Sequence, residues 1–396
     1  MQVANQRTAL IFGAGKIGRG FVAEVLSSAN CQLTFVDHEE DRVEKLNRAG
    51  SYTIYKARRT FYETVTIEGF QALMNSAEGE IAELMCRRGA LVALALHMAQ
   101  LEKAATILAV AIARKAMETP DEPLDILLCI NHIDAKAALQ RYLEGMLGGA
   151  ALDYLQTRVG IVQTVELINC PDLPEALKER DPLGVLTNGY PEMPVEMDAF
   201  RGEPPVSPMV RLSRNIDAEA HRKMYTLDAA YATIAFLGAR RRYVYLSDAL
   251  EDERIDQAVA DALNEAAVGL CAEYGYKEED MRLWNESVRE MIDNPLLHNT
   301  LRSLGTDAPR KVGPQDRLVG PALLCIKHGG MPNQLARVIA HAYRYAADDD
   351  IRTRMFLRFV EEEGIESALE RYSRLAMRNM LHRMVRAEYE ALEDPT

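Results

Sequence analysis

Three glycines and one acid near the start of the chain have the types and spacing to hold a dinucleotide. Gly13, Gly15 and Gly18 stand in the order G-x-G-x-x-G within Leu10-Ile-Phe-Gly-Ala-Gly-Lys-Ile-Gly-Arg-Gly20. The run Gln32-Leu-Thr-Phe-Val-Asp37 comes after it and ends in an acid. A pyrophosphate needs a tight turn, which Gly13 permits, and a backbone it can approach, which Gly15 leaves bare. Gly18 lets the following helix pack close to the strand. The N-terminus of that helix, with Lys16 and Ile17 in the turn, faces the phosphate charge. Asp37 would accept hydrogen bonds from the adenosine ribose. With Glu39 and Glu40 behind it, it would repel a 2′-phosphate, so the cofactor implied is NAD rather than NADP. Glycines in this order also mark ordinary turns; here a strand, a helix and an acid all fall in register.

Two further groups have chemical potential. Asn131 follows the apolar run Leu124–Ile130, and its amide could hydrogen-bond a ribose or a substrate hydroxyl, or simply cap a turn. Arg310, Lys311 and Arg317 lie close together in an acidic chain. They suit an anionic group such as phosphate, or equally salt bridges to Asp307 and Asp316. Arg240-Arg-Arg242 reads as a solvated cluster at a helix end, where cations complement the dipole.

The elements that must position these residues follow from the apolar pattern. Residues 8 to about 150 alternate short apolar runs with helical stretches, the pattern of a parallel sheet with crossover helices. Strands are expected at Thr8–Phe12, Cys31–Val36, Ala90–Leu96, Leu124–Ile130 and Val159–Val165, with Tyr52–Tyr55 and Thr60–Ile67 antiparallel or peripheral. Helices are expected at Phe21–Ser28, Glu40–Arg48, Leu101–Ala116 and Ala135–Met146. Prolines crowd residues 182–208, which argues for irregular or edge-strand structure. From about residue 215 the spacing is helical, at Ile255–Tyr274, Glu279–Ile292, Leu318–His328, Gln334–Tyr345 and Ile351–Glu362, with a long final helix from Ile365 to about Leu392. The fold class expected is α/β: a Rossmann-type dinucleotide-binding domain with extensions over 1–205, then a mainly α-helical substrate or catalytic domain over 206–396.

Composition narrows the function classes. The chain has 396 residues, 48% hydrophobic and 27% charged, which suits a two-domain globular protein. Its formal net charge of -13 disfavours nucleic acid and anionic membrane surfaces as partners. The six cysteines are scattered without C-x-x-C spacing, so neither a metal site nor a disulfide framework is expected. Met1–Asn5 is too short and polar for a signal core. Gly89–His97 is too short to span a bilayer. A cytoplasmic protein is the expectation.

The fingerprint and the segments beyond it resemble the long-chain mannitol (polyol) dehydrogenases, the family of mannitol-1-phosphate 5-dehydrogenase. Cys129-Ile-Asn131 stands where the family has Cys-Glu-Asn, and Lys223-Met-Tyr-Thr-Leu-Asp-Ala-Ala-Tyr231 where it has K-x4-N-x2-H. Pro309–Leu318 resembles a substrate-side segment. The resemblance covers nearly the whole chain. It implies an NAD-dependent oxidoreductase interconverting a secondary alcohol and a ketone on a polyol, sugar acid or sugar phosphate. Lys223 is then the general acid–base, Asn131 a hydrogen-bonding partner, and Arg310, Lys311 and Arg317 the substrate side.

The departures from the family pattern matter as much. Asp228 replaces the family's Asn and Tyr231 its His; the two are three residues apart and share a helical face. An acid beside Lys223 would hold the ammonium protonated, favouring carbonyl reduction over alcohol oxidation. Five residues, however, is roughly 140° round a regular helix. His97 and Met98 stand where the family has Gly and Pro. Leu167, Asn188, Ser303 and Thr306 replace polar or charged residues. Such changes imply an altered substrate, or an inactive NAD-binding relative acting as sensor or partner.

Overall fold

The computed structural model describes residues 6–132 and 134–392. Met1–Asn5 lie outside the described residues. The chain forms two compact units, Met1–Glu219 and Ala220–Thr396.

The first unit is built on eleven described strands: β1 (Arg7–Phe12), β2 (Cys31–Asp37), β3 (Ser51–Arg58), β4 (Phe61–Glu68), β5 (Gln71–Met74), β6 (Leu91–Leu94), β7 (Leu124–Leu128), β8 (Val159–Gln163), β9 (Val185–Thr187), β10 (Met193–Glu196) and β11 (Val210–Ser213). Six of them make one sheet in the order β5-β2-β1-β6-β7-β8, parallel at every pairing. From β1 the chain steps outward to β2 and β5, then crosses back to β6 on the other side. The order therefore reverses between β1 and β6, and ligands of open parallel sheets bind beyond the carboxyl ends of the strands at such a reversal.

Both faces of this sheet are covered, which explains the unbroken apolar runs. Leu10, Phe12, Val92, Leu94, Ile126 and Leu128 belong to one buried cluster. Their strand neighbours Ala9, Ile11, Leu91, Ala93 and Leu127 belong to another. The strand period of two thus feeds two cores from the same segments.

The expected peripheral pair is the antiparallel hairpin β3–β4, extended by β9 in a separate sheet. The proline-rich stretch supplies β9 and β10. β10 pairs with β11, so strand structure continues to Ser213, and the first compact unit runs to Glu219. Elements without a clear sequence signal include β5, β11 and the helices Glu78–Cys86, Gly149–Arg158 and Glu175–Arg180.

The second unit is helical. At its centre lies Ala229–Arg240, whose residues from Ala229 to Gly238 are all buried. Gly238 lets Leu301 pack close, since a Cβ there would lie 2.5 Å from a Leu301 methyl, which would have to shift. Around it pack Glu253–Tyr274, Leu301–Gly305 and Asn333–Ala342. The single long helix expected from Ile365 to Leu392 is not formed. The interruption at Gly364, which adopts φ 81°, falls between the two expected helices, but the second one ends at Tyr372; Arg374 follows at φ 55°, and a separate helix Met380–Ala391 starts at Asn379, whose side chain accepts from Leu381 N. Glycine at positive φ breaks the helical path at little steric cost, and the Asn379 cap restarts it.

Candidate active site

The glycine turn leaves β1 at the reversal point. Gly13 N donates to Val36 O at 2.8 Å, and Ala95 N donates to Phe12 O at 2.8 Å, so the ends of β2, β1 and β6 are tied together. Gly13 has φ +94°, and a Cβ there would lie 2.3 Å from Ala95 O. A Cβ at Gly18 would lie 1.9 Å from Gly13 O. Packing within the protein therefore demands glycine at both positions. Gly15 differs: a Cβ would meet nothing within 4 Å. No protein contact requires that glycine, so the space it clears fits a phosphate approaching the backbone. The helix after the turn opens with a π-helical turn, Gly18–Val22. The buried Arg19 guanidinium donates to Ala14 O and Leu183 O and braces the turn from behind. Lys16 is exposed, with its Nζ 2.7 Å from Asp172 Oδ1, and Ile17 is half-buried.

Asp37 is a strut for this turn. It is only 4% exposed. Oδ2 accepts from Ala14 N at 2.7 Å and from Arg42 at 3.0 Å. Oδ1 accepts from His38 N at 2.8 Å and Glu39 N at 3.0 Å. Burial opposes the charge, but the Glu39 and Ala14 amides and the Arg42 guanidinium outweigh it and hold the carboxyl below its ordinary value. Arg42 is shared with Glu39 Oε2 at 2.7 Å, so its charge is spent on the two acids. Asn131 is exposed, just past Cys129 and Ile130 at the carboxyl end of β7. His97 is exposed beyond β6, before the short turn Met98–Gln100.

The second constellation lies wholly in the helical unit. Another π-helical turn, Met224–Asp228, separates Lys223 from Asp228. Its i to i+5 winding puts residues five apart on one face. Lys223 Nζ and Asp228 Oδ2 are 3.0 Å apart, a contact that regular helical geometry would not allow. Arg317 approaches the same oxygen at 3.8 Å. Lys223, Asp228 and Arg317 are 8%, 7% and 7% exposed. Despite the ion pair, Asp228 Oδ2 receives no well-directed hydrogen bond from the described residues.

The turn is held from outside by Trp284, whose indole N–H donates to Thr226 Oγ1 at 2.9 Å. Thr226 in turn donates to Arg222 O at 2.6 Å, and the Arg222 guanidinium lies 4.0 Å from the Trp284 ring centroid. Tyr231 is buried one turn along, in Ala229–Arg240.

The basic cluster joins this constellation. Arg317 Nε donates to Asp316 Oδ1 at 2.7 Å. Arg310 pairs with Asp316 at 3.2 Å and Asp307 at 3.3 Å. Asp307 also pairs with Arg352 at 2.9 Å. For Arg317, burial works against the charge, yet Asp228 and Asp316 prevail and raise its value. Lys311 is 5% exposed and donates to Thr306 O. Burial first, then Arg317 and Arg310, push its amine down to about 7. Ser303 and Thr306 serve local helix geometry: Thr300 caps Ser303 N at 3.2 Å, and Thr306 Oγ1 donates to Arg302 O at 3.1 Å. Asn188 clamps a loop, donating to Leu167 O at 3.2 Å and accepting from Asn169 N at 3.2 Å; Leu167 itself is buried.

The structure thus unites Lys223, Asp228, Arg310, Lys311 and Arg317, and gathers Gly13, Gly15, Gly18 and Asp37 at the sheet reversal. Sequence reasoning missed Arg19, Arg42, Thr226 and Trp284. Arg42 sits five residues after Asp37, at a distance where a helix start would bring it back. Trp284 lies 58 residues from its partner and carried no local signal. Among the described residues no group of three His, Cys, Asp or Glu is placed to hold a metal ion, and no helix is long and apolar enough to cross a membrane.

Comparison with known proteins matches residues 7–207 to the mannitol dehydrogenase Rossmann domain and residues 215–392 to the mannitol dehydrogenase C-terminal domain. The chain belongs to the mannitol dehydrogenase family. Solved structures agree in fold. A mannitol 2-dehydrogenase from Pseudomonas fluorescens, in a ternary complex with NAD and D-mannitol, superposes with a TM-score of 0.74 at 13% identity, covering 98% of this chain and 92% of that one. A D-sorbitol dehydrogenase in substrate-free form gives a TM-score of 0.71 at 14% identity, covering 92% of this chain and 97% of the other. Within this mannitol dehydrogenase fold, the six-stranded parallel sheet is the Rossmann half and the helical unit the C-terminal half.

Proposed function

We propose that the protein is an NAD-dependent oxidoreductase that interconverts a secondary alcohol and a ketone on a polyol, sugar acid or sugar phosphate. The observation that carries this is the buried Lys223–Asp228 pair, closed by a π-helical turn, in a chain of the mannitol dehydrogenase family. Support for the cofactor comes from Gly15, whose missing side chain serves no protein contact, and from the mannitol 2-dehydrogenase of similar fold, whose structure is a complex with NAD. Gly13, Gly15, Lys16, Ile17 and Gly18 would hold the pyrophosphate. Asp37 keeps the turn in shape and places negative charge beside the ribose. Bound NAD supplies the hydride acceptor or donor.

The helical unit handles the proton. Lys223 Nζ takes it from the alcohol in one direction and delivers it to the carbonyl oxygen in the other. Asp228 Oδ2, 3.0 Å from Lys223 Nζ, fixes the position of that amine. Tyr231, three residues after Asp228, is assigned a hydrogen bond to a substrate oxygen, and Asn131, in the first unit, one to the nicotinamide ribose. The protein's share of catalysis is positioning and proton management.

The test is a panel. The protein is mixed with NADH and a set of ketoses, uronates and sugar phosphates, and NADH absorbance is followed. Turnover with any member supports the assignment. NADH binding without turnover across the panel would instead favour a non-catalytic NAD-binding relative, as the replacement of the family's Asn and His by Asp228 and Tyr231 would allow.

A further inference from the structure

The constellation around Lys223 contains its own anions. A site that recognises a phosphate or carboxylate needs cations whose charge is available to the ligand. Here Lys223 and Arg317 face Asp228 Oδ2, at 3.0 and 3.8 Å. Arg317 also holds Asp316 at 2.7 Å, and Arg310 is divided between Asp316 and Asp307. Each guanidinium that could read a phosphate already answers to an internal carboxylate. Lys311 has turned its amine to the Thr306 carbonyl.

A second, independent feature concerns hydrogen bonding. Asp228 Oδ2 is buried, and no donor among the described residues reaches it in hydrogen-bond geometry. A buried acceptor of this kind is completed by a donor. A sugar hydroxyl is a donor. A phosphate ester at neutral pH is chiefly an acceptor and carries like charge.

Building on the oxidoreductase assignment, we propose that Asp228 determines substrate class. Its carboxylate neutralises Lys223 and Arg317 and accepts from a substrate hydroxyl, so the site takes uncharged polyols and ketoses and turns away their phosphate esters and acids. The family's Asn at this position is uncharged; the acid in this chain is what closes the site to anions. Like-charge opposition at this range is strong enough to divide substrate classes.

The experiment compares wild type with Asp228→Asn, using NADH with a ketohexose and with its phosphate monoester. Wild type is expected to favour the uncharged ketose by roughly 100-fold in kcat/KM. Asp228→Asn is expected to shrink that ratio at least tenfold, mainly through a lower KM for the ester. Calorimetric titration of the ester into each protein at saturating NADH gives a readout independent of turnover. There the ester should bind Asp228→Asn at least tenfold tighter than wild type. A wild type that prefers the ester overturns the proposal, as does a ratio and an affinity unmoved by the substitution. An equal change for both sugars also overturns it, by making Asp228 structural. If no ketose turns over at all, the oxidoreductase assignment fails, and the titration alone decides the role of Asp228. Asp228→Ser takes the place of the amide variant if thermal denaturation shows that variant to be unfolded.

Discussion

Two π-helical turns, one in each unit, hold the residues assigned to the cofactor and to the proton, by opposite means. At the glycine turn leading into Gly18–Val22 the groups assigned to the cofactor are backbone and the open space at Gly15, braced by Asp37 and Arg19. At Met224–Asp228 the working groups are side chains, brought into contact because the turn is wider than an α-helix. The first site is specified by what is absent and leaves a spaced pattern of glycines. The second is specified by winding, which no spacing rule for regular helices reveals.

The comparison is broken most directly at Lys223. Lys223→Ala should lower turnover by roughly 100-fold or more, the usual size for a lost general acid–base, while calorimetry shows NADH affinity unchanged. A full-rate variant would leave only the nucleotide half functional. Cofactor choice comes next. Asp37 with Glu39 beside it, and Arg42 engaged by both, should make NAD(H) bind well over tenfold tighter than NADP(H); equal affinities in parallel titrations would refute this.

The glycines then separate fold from ligand. Gly15→Ala should cost about tenfold in NADH affinity with little change in Tm, because the added carbon meets only ligand space. Gly13→Ala and Gly18→Ala should each lower stability by about 1–3 kcal/mol, because the added carbon meets backbone. Equal Tm losses at all three positions would show that Gly15 is structural too.

The smallest effects are in pH dependence, and they differ between the units. Asp37 is held below its ordinary value in the fold. Its contribution to stability is therefore complete above the unfolded value, about 4, and is lost as pH falls through the lower folded value. Lys311 is pushed down to about 7. Its burial cost is complete below that pH and is relieved as pH rises from about 7 towards 10, where the unfolded lysine also deprotonates. Denaturation midpoints across pH should lose the acid limb in Asp37→Asn and the alkaline rise in Lys311→Met. Unchanged profiles in either variant would show that the group does not titrate as its surroundings imply.

Legibility followed the same division. The helix Ala135–Met146 was expected with the bounds it has, because its apolar spacing is regular. The central strands were expected because both faces are buried and the runs are unbroken. β5 was missed: at four residues with mixed burial, it has no period to detect. The expected break near Gly364 is present, but the last helix is shorter than expected: the chain also leaves the helix after Tyr372, with Arg374 at φ 55°, and re-enters it at Met380, a break that the charge patterning does not mark. Asp37 was identified as the acid of the fingerprint, but its four internal hydrogen bonds come from groups that only the folded turn assembles. The salt-bridge alternative for Arg310 and Arg317 named Asp307 and Asp316, which are the partners found. Asp228 joining them needed a turn whose winding is set by tertiary packing.

Trp284 is the sole tryptophan of the chain, and it is bonded to Thr226 within the turn that carries Lys223 and Asp228. The indole fluorescence of the protein therefore reports from one place, at the edge of the Lys223–Asp228 constellation. A ligand that shifts the turn changes the polarity and quenching around one indole, and no other indole dilutes the signal. Movement of that turn can then be followed in stopped flow on unlabelled, unmutated protein.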